Sequence, residues 1–179
     1  MEETKIKEKL TPLLANAFNV KQEDVKGDRT TDFIVRIGEN ESEWYYFELK
    51  STDKSEPGGR KDKEKYFGAA SLSQLIEAEK HPNHYYFILA SQDNDNITYG
   101  FATPDELLSY LTGYYMHADF NIPETEMQNT CTKEETFLDR CHMLQNGKHL
   151  HTLSPKNNQN NDKINRLKEI VKTQIKTDT

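Results

Sequence analysis

Two strand-like segments joined by a short polar turn constrain this chain most: Thr31–Ile37 and Trp44–Lys50 are dense in β-branched and aromatic residues, and Gly38–Glu43 between them has turn chemistry. They read as an antiparallel hairpin. With the turn centred on Asn40, Asp32 falls directly opposite Glu48, and Lys50 shares their face because side chains repeat every second residue. The other face then carries Phe33, Val35 and Ile37 against Tyr45, Phe47 and Leu49, an apolar set suited to a core. Opposed carboxylates with Cβ atoms roughly 5 Å apart destabilise a hairpin unless positive charge lies between them. A divalent cation, with Lys50 beside it, would supply that charge.

Two carboxylates and a lysine on one face are also the minimum set for hydrolysing a phosphodiester. That reaction needs a hard cation held by carboxylate oxygens, a water made nucleophilic near neutral pH, and positive charge where the phosphorane develops. The plainer alternative is a solvated strand face on which Asp32, Glu48 and Lys50 form a surface ion pair.

Asp32 followed by Glu48-Leu49-Lys50 resembles the signature of the PD-(D/E)xK nuclease superfamily, over about the first hundred residues. The residue before the aspartate is Thr31 rather than proline. The resemblance implies a restriction-endonuclease-like α/β/α sandwich with a central mixed sheet. It implies that Asp32 and Glu48 bind Mg²⁺, with Mn²⁺ as a substitute and the Leu49 carbonyl as a further ligand, and that Lys50 orients or helps deprotonate the attacking water. Such folds open with an amphipathic helix, and Glu3–Phe18 fits, with Ile6, Leu10, Leu13, Leu14 and Ala17 spaced by three and four around Pro12. An acidic residue of that helix often lies near the metal, which makes Glu8 the candidate; its alternative is a solvated acid. Glutamines of the helix after the ExK strand contact the active site or DNA backbone in several branches, which singles out Gln74 against an ordinary helix-surface role. The stretches Phe67–Ala78 and His84–Ala90 are also similar to the segment following the ExK strand in NO VEIN-type nuclease-like domains.

Further along, Ser51–Lys65 reads as a mobile loop whose Ser55, Arg60 and Lys61 are candidate DNA contacts, against a solvated turn of balanced charge. Phe67–Lys80 is expected to be a helix, and Tyr85–Ala90 and Ile97–Ala102 strands. Thr103-Pro104-Asp105-Glu106 is a capping box opening a helix expected to run to about Tyr115, with Tyr110, Tyr114 and Tyr115 as core or rim residues, or as base-stacking ones. Thr132-Lys133-Glu134-Glu135 is a second capping box. Cys131, Cys141, His142, His149 and His151 lie close in sequence but lack a CxxC pair, so a buried cysteine with surface histidines competes with a zinc site. Gln145–Asp162 reads as a linker. The final helix carries Ile164, Leu167, Val171 and Ile175 as a stripe that docks on its own domain, on a second copy or on a partner.

At 179 residues the chain divides by expectation into a nuclease-like core (1–118), a helical and loop extension (119–160) and a C-terminal amphipathic helix (161–179). Two cysteines and the lack of a signal peptide or long apolar run predict a reduced, cytoplasmic protein not bound to membranes. A net charge of −7 argues against nucleic-acid binding by bulk electrostatics. The expected function is a Mg²⁺-dependent DNA endonuclease of restriction, defence or repair type, with a homodimer through the last helix as one assembly. The alternative is a nuclease fold without hydrolysis, serving as a DNA-binding or protein-interaction module.

Overall fold

A strand buried on both faces must be covered on both, and β2, with Phe47 and Leu49 buried on one face and Tyr46 and Glu48 on the other, organises the chain for that reason. The computed structural model describes residues 3–53, 64–147, 152–157 and 161–178. The predicted hairpin forms from β1 (Phe33–Val35) and β2 (Tyr45–Asp53), which pair antiparallel with Phe33 opposite Phe47 and Val35 opposite Tyr45. One more residue of that register sets Asp32 opposite Glu48. The connection holds a single 3-10 turn, Glu41–Glu43, capped by the Asn40 side chain, which accepts from Ser42 N. Ser51–Asp53 belongs to β2 rather than to a loop, because it pairs with Ala90–Gln92 of β4 (Tyr85–Asp93).

Strand β4 runs parallel to β2, which demands a crossover, and α2 (Leu72–Lys80) supplies it. With β5 (Asn96–Ala102) antiparallel to β4, the main sheet has the order β1-β2-β4-β5. On one face α1 (Glu3–Phe18) and α5 (Glu134–Gln145) bury Ile6, Leu10, Leu14, Phe137 and Cys141 against Phe33, Val35, Phe47, Leu49 and Phe101. The other face, with Ile34, Tyr46, Tyr85, Phe87 and Leu89, is covered by α2, α3 (Pro104–Leu108) and α6 (Asn161–Asp178). The architecture is therefore a mixed sheet between helical layers.

A second sheet, not expected from the sequence, completes that second face. Its order is β3-β7-β6, from β3 (Glu64–Ala70), β6 (Leu111–Tyr114) and β7 (Ala118–Pro123). Two helix predictions are corrected by it. Phe67–Ala70 belongs to β3, where Ala69 and Ala70 pair with Asp119 and Ala118 of β7, and α2 starts only at Leu72, where Ser71 and Gln74 form a reciprocal capping box. The Thr103–Glu106 capping box forms as expected, but α3 ends at Leu108, since Leu111 is buried opposite Phe120 in β6. The predicted cap at Thr132 does not form: Thr132 exchanges backbone hydrogen bonds with Tyr99 at 2.7 and 2.8 Å, and α5 begins after Lys133 with no side-chain cap. α4 (Glu124–Thr130) links β7 to that bridge.

Ile164, Leu167 and Val171 of α6 are buried against this chain's own core, with Ile175 half-buried beside them. The expected boundary at 118 falls inside the packing, because β7 pairs with β3 and Phe120, Ile122 and Leu167 join the same cluster as Tyr46 and Phe87. No described helix is long and apolar enough to cross a membrane.

The approach to Asp32 depends on Gly27, where an added Cβ would lie 2.1 Å from the Thr31 carbonyl oxygen and 2.2 Å from that of Asp32. Backbone atoms cannot yield as a side-chain tip does. Gly27→Ala is expected to cost about 1–3 kcal/mol in urea unfolding. Gly113→Ala, which meets nothing within 4 Å, is expected to stay within about 0.5 kcal/mol.

Candidate active site

Asp32 precedes β1 by one residue, and Glu48 and Lys50 are interior residues of β2 on the face that α2 covers. The two carboxylates are tied by the strand backbones. Asp32 N donates to Glu48 Oε2 at 3.1 Å, and Leu49 N donates to Asp32 Oδ2 at 2.8 Å. Each acid thus accepts from the other's strand, which fixes both carboxylates near one point at the end of the hairpin.

Gln74 joins this pair to Lys50. Its Nε2 donates to Glu48 Oε1 at 2.9 Å, while its Oε1 accepts from Lys50 Nζ at 3.0 Å and from Ser71 N at 3.2 Å. The residue that closes the α2 capping box is therefore also the one that spaces the acid from the lysine. Lys50 Nζ makes a second bond, donating to the Ala69 carbonyl at 2.7 Å. The cleft in front, about 320 Å³, is bounded by Glu3, Glu48, Leu49, Lys50, Ala69 and Gln74.

Charge in this pocket is strained by burial. Glu48 is 5 % exposed. Desolvation, a side-chain hydrogen bond with Asp32 and the Asp32 charge push its carboxyl up to about 8, with Lys50 pulling the other way. Burial likewise lowers the Lys50 ammonium below its ordinary value, against the carboxylates Glu48 and Asp32. The Tyr85 hydroxyl is buried without a hydrogen-bond partner among the described residues, and burial and then the charges of Glu48 and Asp32 push its pKa upward, so it remains a neutral donor.

The helix α1 contributes a different residue from the one expected. Glu8 is exposed and does not border the cleft. Lys7, one position earlier and so about 100° around the helix, places Nζ 2.6 Å from Asp32 Oδ1 and 3.6 Å from Glu3 Oε1. Burial disfavours its ammonium, but the hydrogen bond and charge of Asp32, with Glu3 and Glu48 behind, outweigh that and raise its pKa. The only signal for Lys7 in the sequence is its place beside Ile6 and Leu10, at the margin of the apolar stripe.

Asp32, Glu48, Leu49, Lys50 and Gln74 are thus brought together, whereas Ser55, Arg60 and Lys61 lie outside the described residues. Cys131 and Cys141 are buried in separate core clusters, on opposite faces of the main sheet. His142 is exposed, and His149 and His151 lie outside the described residues. Among the described residues no three or more His, Cys, Asp or Glu side chains converge as a metal-binding group. Glu3 and Glu48 line the cleft, and Asp32 lies tied to Glu48 through the strand backbones; a pair of carboxylates completed by water and substrate oxygens is how Mg²⁺ is commonly held. The ammonium seated on Asp32, at 2.6 Å, occupies a position next to the carboxylate pair that a cation could take. The donor set fits a hard divalent cation.

No family model, curated protein or solved structure matches this chain.

The raised Glu48 pKa sets a stability profile. Between the ordinary 4.5 and about 8 the folded chain keeps a proton that the unfolded chain has released. Glu48 therefore contributes stability that is fully present below about 4.5 and lost as pH rises through about 8. Lys50, whose pKa is lowered, contributes with the opposite slope, so the comparison is between variants. Urea unfolding of metal-free protein across this range is expected to show that Glu48→Gln removes a decline with rising pH that the parent retains.

Proposed function

We propose that this chain is a divalent-metal-dependent phosphodiester hydrolase acting on DNA, with a PD-(D/E)xK, restriction-endonuclease-like core. The observation that carries this reading is the reciprocal Asp32–Glu48 pair beside a half-buried Lys50, with Gln74 at the head of α2 bonded to both Glu48 and Lys50. The order of elements supports it: an opening amphipathic helix, the Asp32 and Glu48-Leu49-Lys50 strands, then crossover helix α2 and parallel strand β4.

Asp32 and Glu48 would hold Mg²⁺ or Mn²⁺, with the Leu49 carbonyl as a further ligand. When bound, the ion supplies Lewis-acid polarisation of a phosphate oxygen and acidifies a water. The chain's own groups do the rest. Glu48 releases the proton it favours in the metal-free protein, since added positive charge stabilises its carboxylate. Lys50, fixed by the Ala69 carbonyl and Gln74 Oε1, orients the attacking water and offers positive charge to the phosphate. The water oxygen forms a bond to phosphorus as its proton passes to solvent, the bond to the leaving sugar oxygen breaks, and that oxygen takes up a proton from solvent. Gln74 keeps Glu48 and Lys50 from collapsing onto one another, which would neutralise both.

The test is cleavage of plasmid, linear and single-stranded DNA with Mg²⁺, Mn²⁺ or EDTA. Metal-dependent cleavage is expected, with losses of at least about 100-fold in Asp32→Asn and in Lys50→Ala. Activity indifferent to both substitutions would remove these residues from the chemistry.

One observation favours a second reading, a nuclease fold used for binding alone: Lys7 already neutralises Asp32 at 2.6 Å. The two readings separate on metal affinity. If Lys7 only holds a place that a cation takes, Lys7→Ala is expected to bind Mn²⁺ about tenfold tighter by calorimetry. In a binding-only module neither form takes up Mn²⁺.

A further inference from the structure

The β6–β7 hairpin ends in the most exposed large apolar side chains among the described residues, Tyr115 at 91 % and Met116 at 78 %. Exposed apolar groups of this size on a chain with a full core mark contact surfaces more often than accidents. Facing the hairpin are Lys163 and Arg166, both exposed on α6; with Gly113, Tyr114, Tyr115 and Ile170 they bound a depression of about 400 Å³. Asp119 also borders it, 3.2 Å from His117 Nε2. Tyr110 is absent from this surface, since it is buried and its hydroxyl donates to the Ser154 carbonyl.

Strand register ties the depression to the cleft. The Ala69 carbonyl that receives Lys50 Nζ belongs to a residue paired with Asp119, which in turn pairs with Gly113. Two strand spacings, about 10 Å, therefore separate Ala69 from Gly113. The row Ala69, Asp119 and Gly113 thus joins the acceptor of Lys50 to the strand that leads to Tyr115.

We infer that the hairpin tip and α6 form a platform for single-stranded nucleic acid, with Tyr115 stacking on a base and Lys163 and Arg166 contacting phosphates. The inference rests on the nuclease reading, which places the scissile phosphate at Lys50. A ring standing clear of the surface matches an unpaired base, whose face is open, whereas a duplex keeps its base faces stacked inside. The net charge of −7 points the same way: bulk attraction to a phosphate backbone is weak, so affinity must come from stacking and a few placed cations.

The experiment is fluorescence anisotropy in EDTA with a short labelled oligothymidylate, an oligouridylate and a duplex, so that binding is read without cleavage. Single strands are expected to bind more tightly than duplex, and the thymidylate and uridylate arms assign the strand to DNA or RNA. Tyr115→Ala is expected to weaken strand binding about tenfold and Tyr115→Phe to retain it, while Arg166→Glu weakens binding and flattens its salt dependence. Strand binding unchanged in Tyr115→Ala and Arg166→Glu overturns the platform, as does no strand binding by the native chain. So does light scattering that shows a dimer broken by Tyr115→Ala with strand binding intact. Metal-dependent plasmid cleavage that survives in Tyr115→Ala, with strand affinity unaltered, defeats the platform and spares the nuclease reading. Strand binding that depends on Tyr115 without any metal-dependent cleavage does the reverse.

Discussion

A carboxylate buried opposite another carboxylate raises the free energy of a fold unless its neighbours answer it, and much of the polar architecture here answers Glu48. Asp32 N and Gln74 Nε2 donate to its two oxygens, and Lys50 is held close by the same glutamine. Each bond belongs to a different element: the hairpin, the crossover helix and the strand itself. Loss of any one would leave a buried charge or dipole unanswered, which costs more than an ordinary hydrogen bond contributes. The site and the packing of α2 on the sheet are consequently one problem with one solution.

That coupling explains why α2 starts where it does. A helix beginning at Phe67 would take Ala69 and Ala70 out of the small sheet and move Gln74 off its capping position. With Ser71 as the cap, Gln74 is the third residue of the helix, and its amide reaches both the helix terminus and the β2 side chains. The Ala69 carbonyl, left at the end of β3, becomes the second acceptor for Lys50. Local capping, sheet pairing and burial of charge agree on the same boundary.

The hairpin was legible in the sequence because period-two patterning and a turn centred on Asn40 leave a single register that puts Phe33, Val35, Phe47 and Leu49 together. The paired faces of α1 and α6 were legible for the corresponding helical reason. Strands β3 and β6 were not. β3 carries small residues with no clear alternation, and β6 follows a genuine capping box, so both resemble helix until β7 is available as a partner, some 50 residues from β3. Thr132 failed as a cap for the same cause: a long-range pairing with Tyr99 outweighed a local motif. Within the site, Asp32, Glu48 and Lys50 could be placed on one face from strand periodicity, and Gln74 was singled out only by the resemblance. Lys7 could not, because which flank of α1 meets the hairpin is decided by the helix's rotation on the sheet, and Lys7 and Glu8 differ by about 100° of it.

Lys7 also bears on what the metal-free state is. With its ammonium on Asp32 and a proton favoured on Glu48, the two carboxylates are answered from within, and the Lys50 ammonium is held by two neutral oxygens. The arrangement is reversible in a way a buried ion pair is not, because Lys7 remains partly exposed and Glu3, one turn back on the same face of α1, stands 3.6 Å from its ammonium. A cation reaching Asp32 would displace a lysine that already has a second carboxylate beside it and water around it. The cost of opening the site is thereby kept to rearranging one flexible side chain, while Glu48, Gln74 and Lys50 stay where the strands and the helix cap hold them.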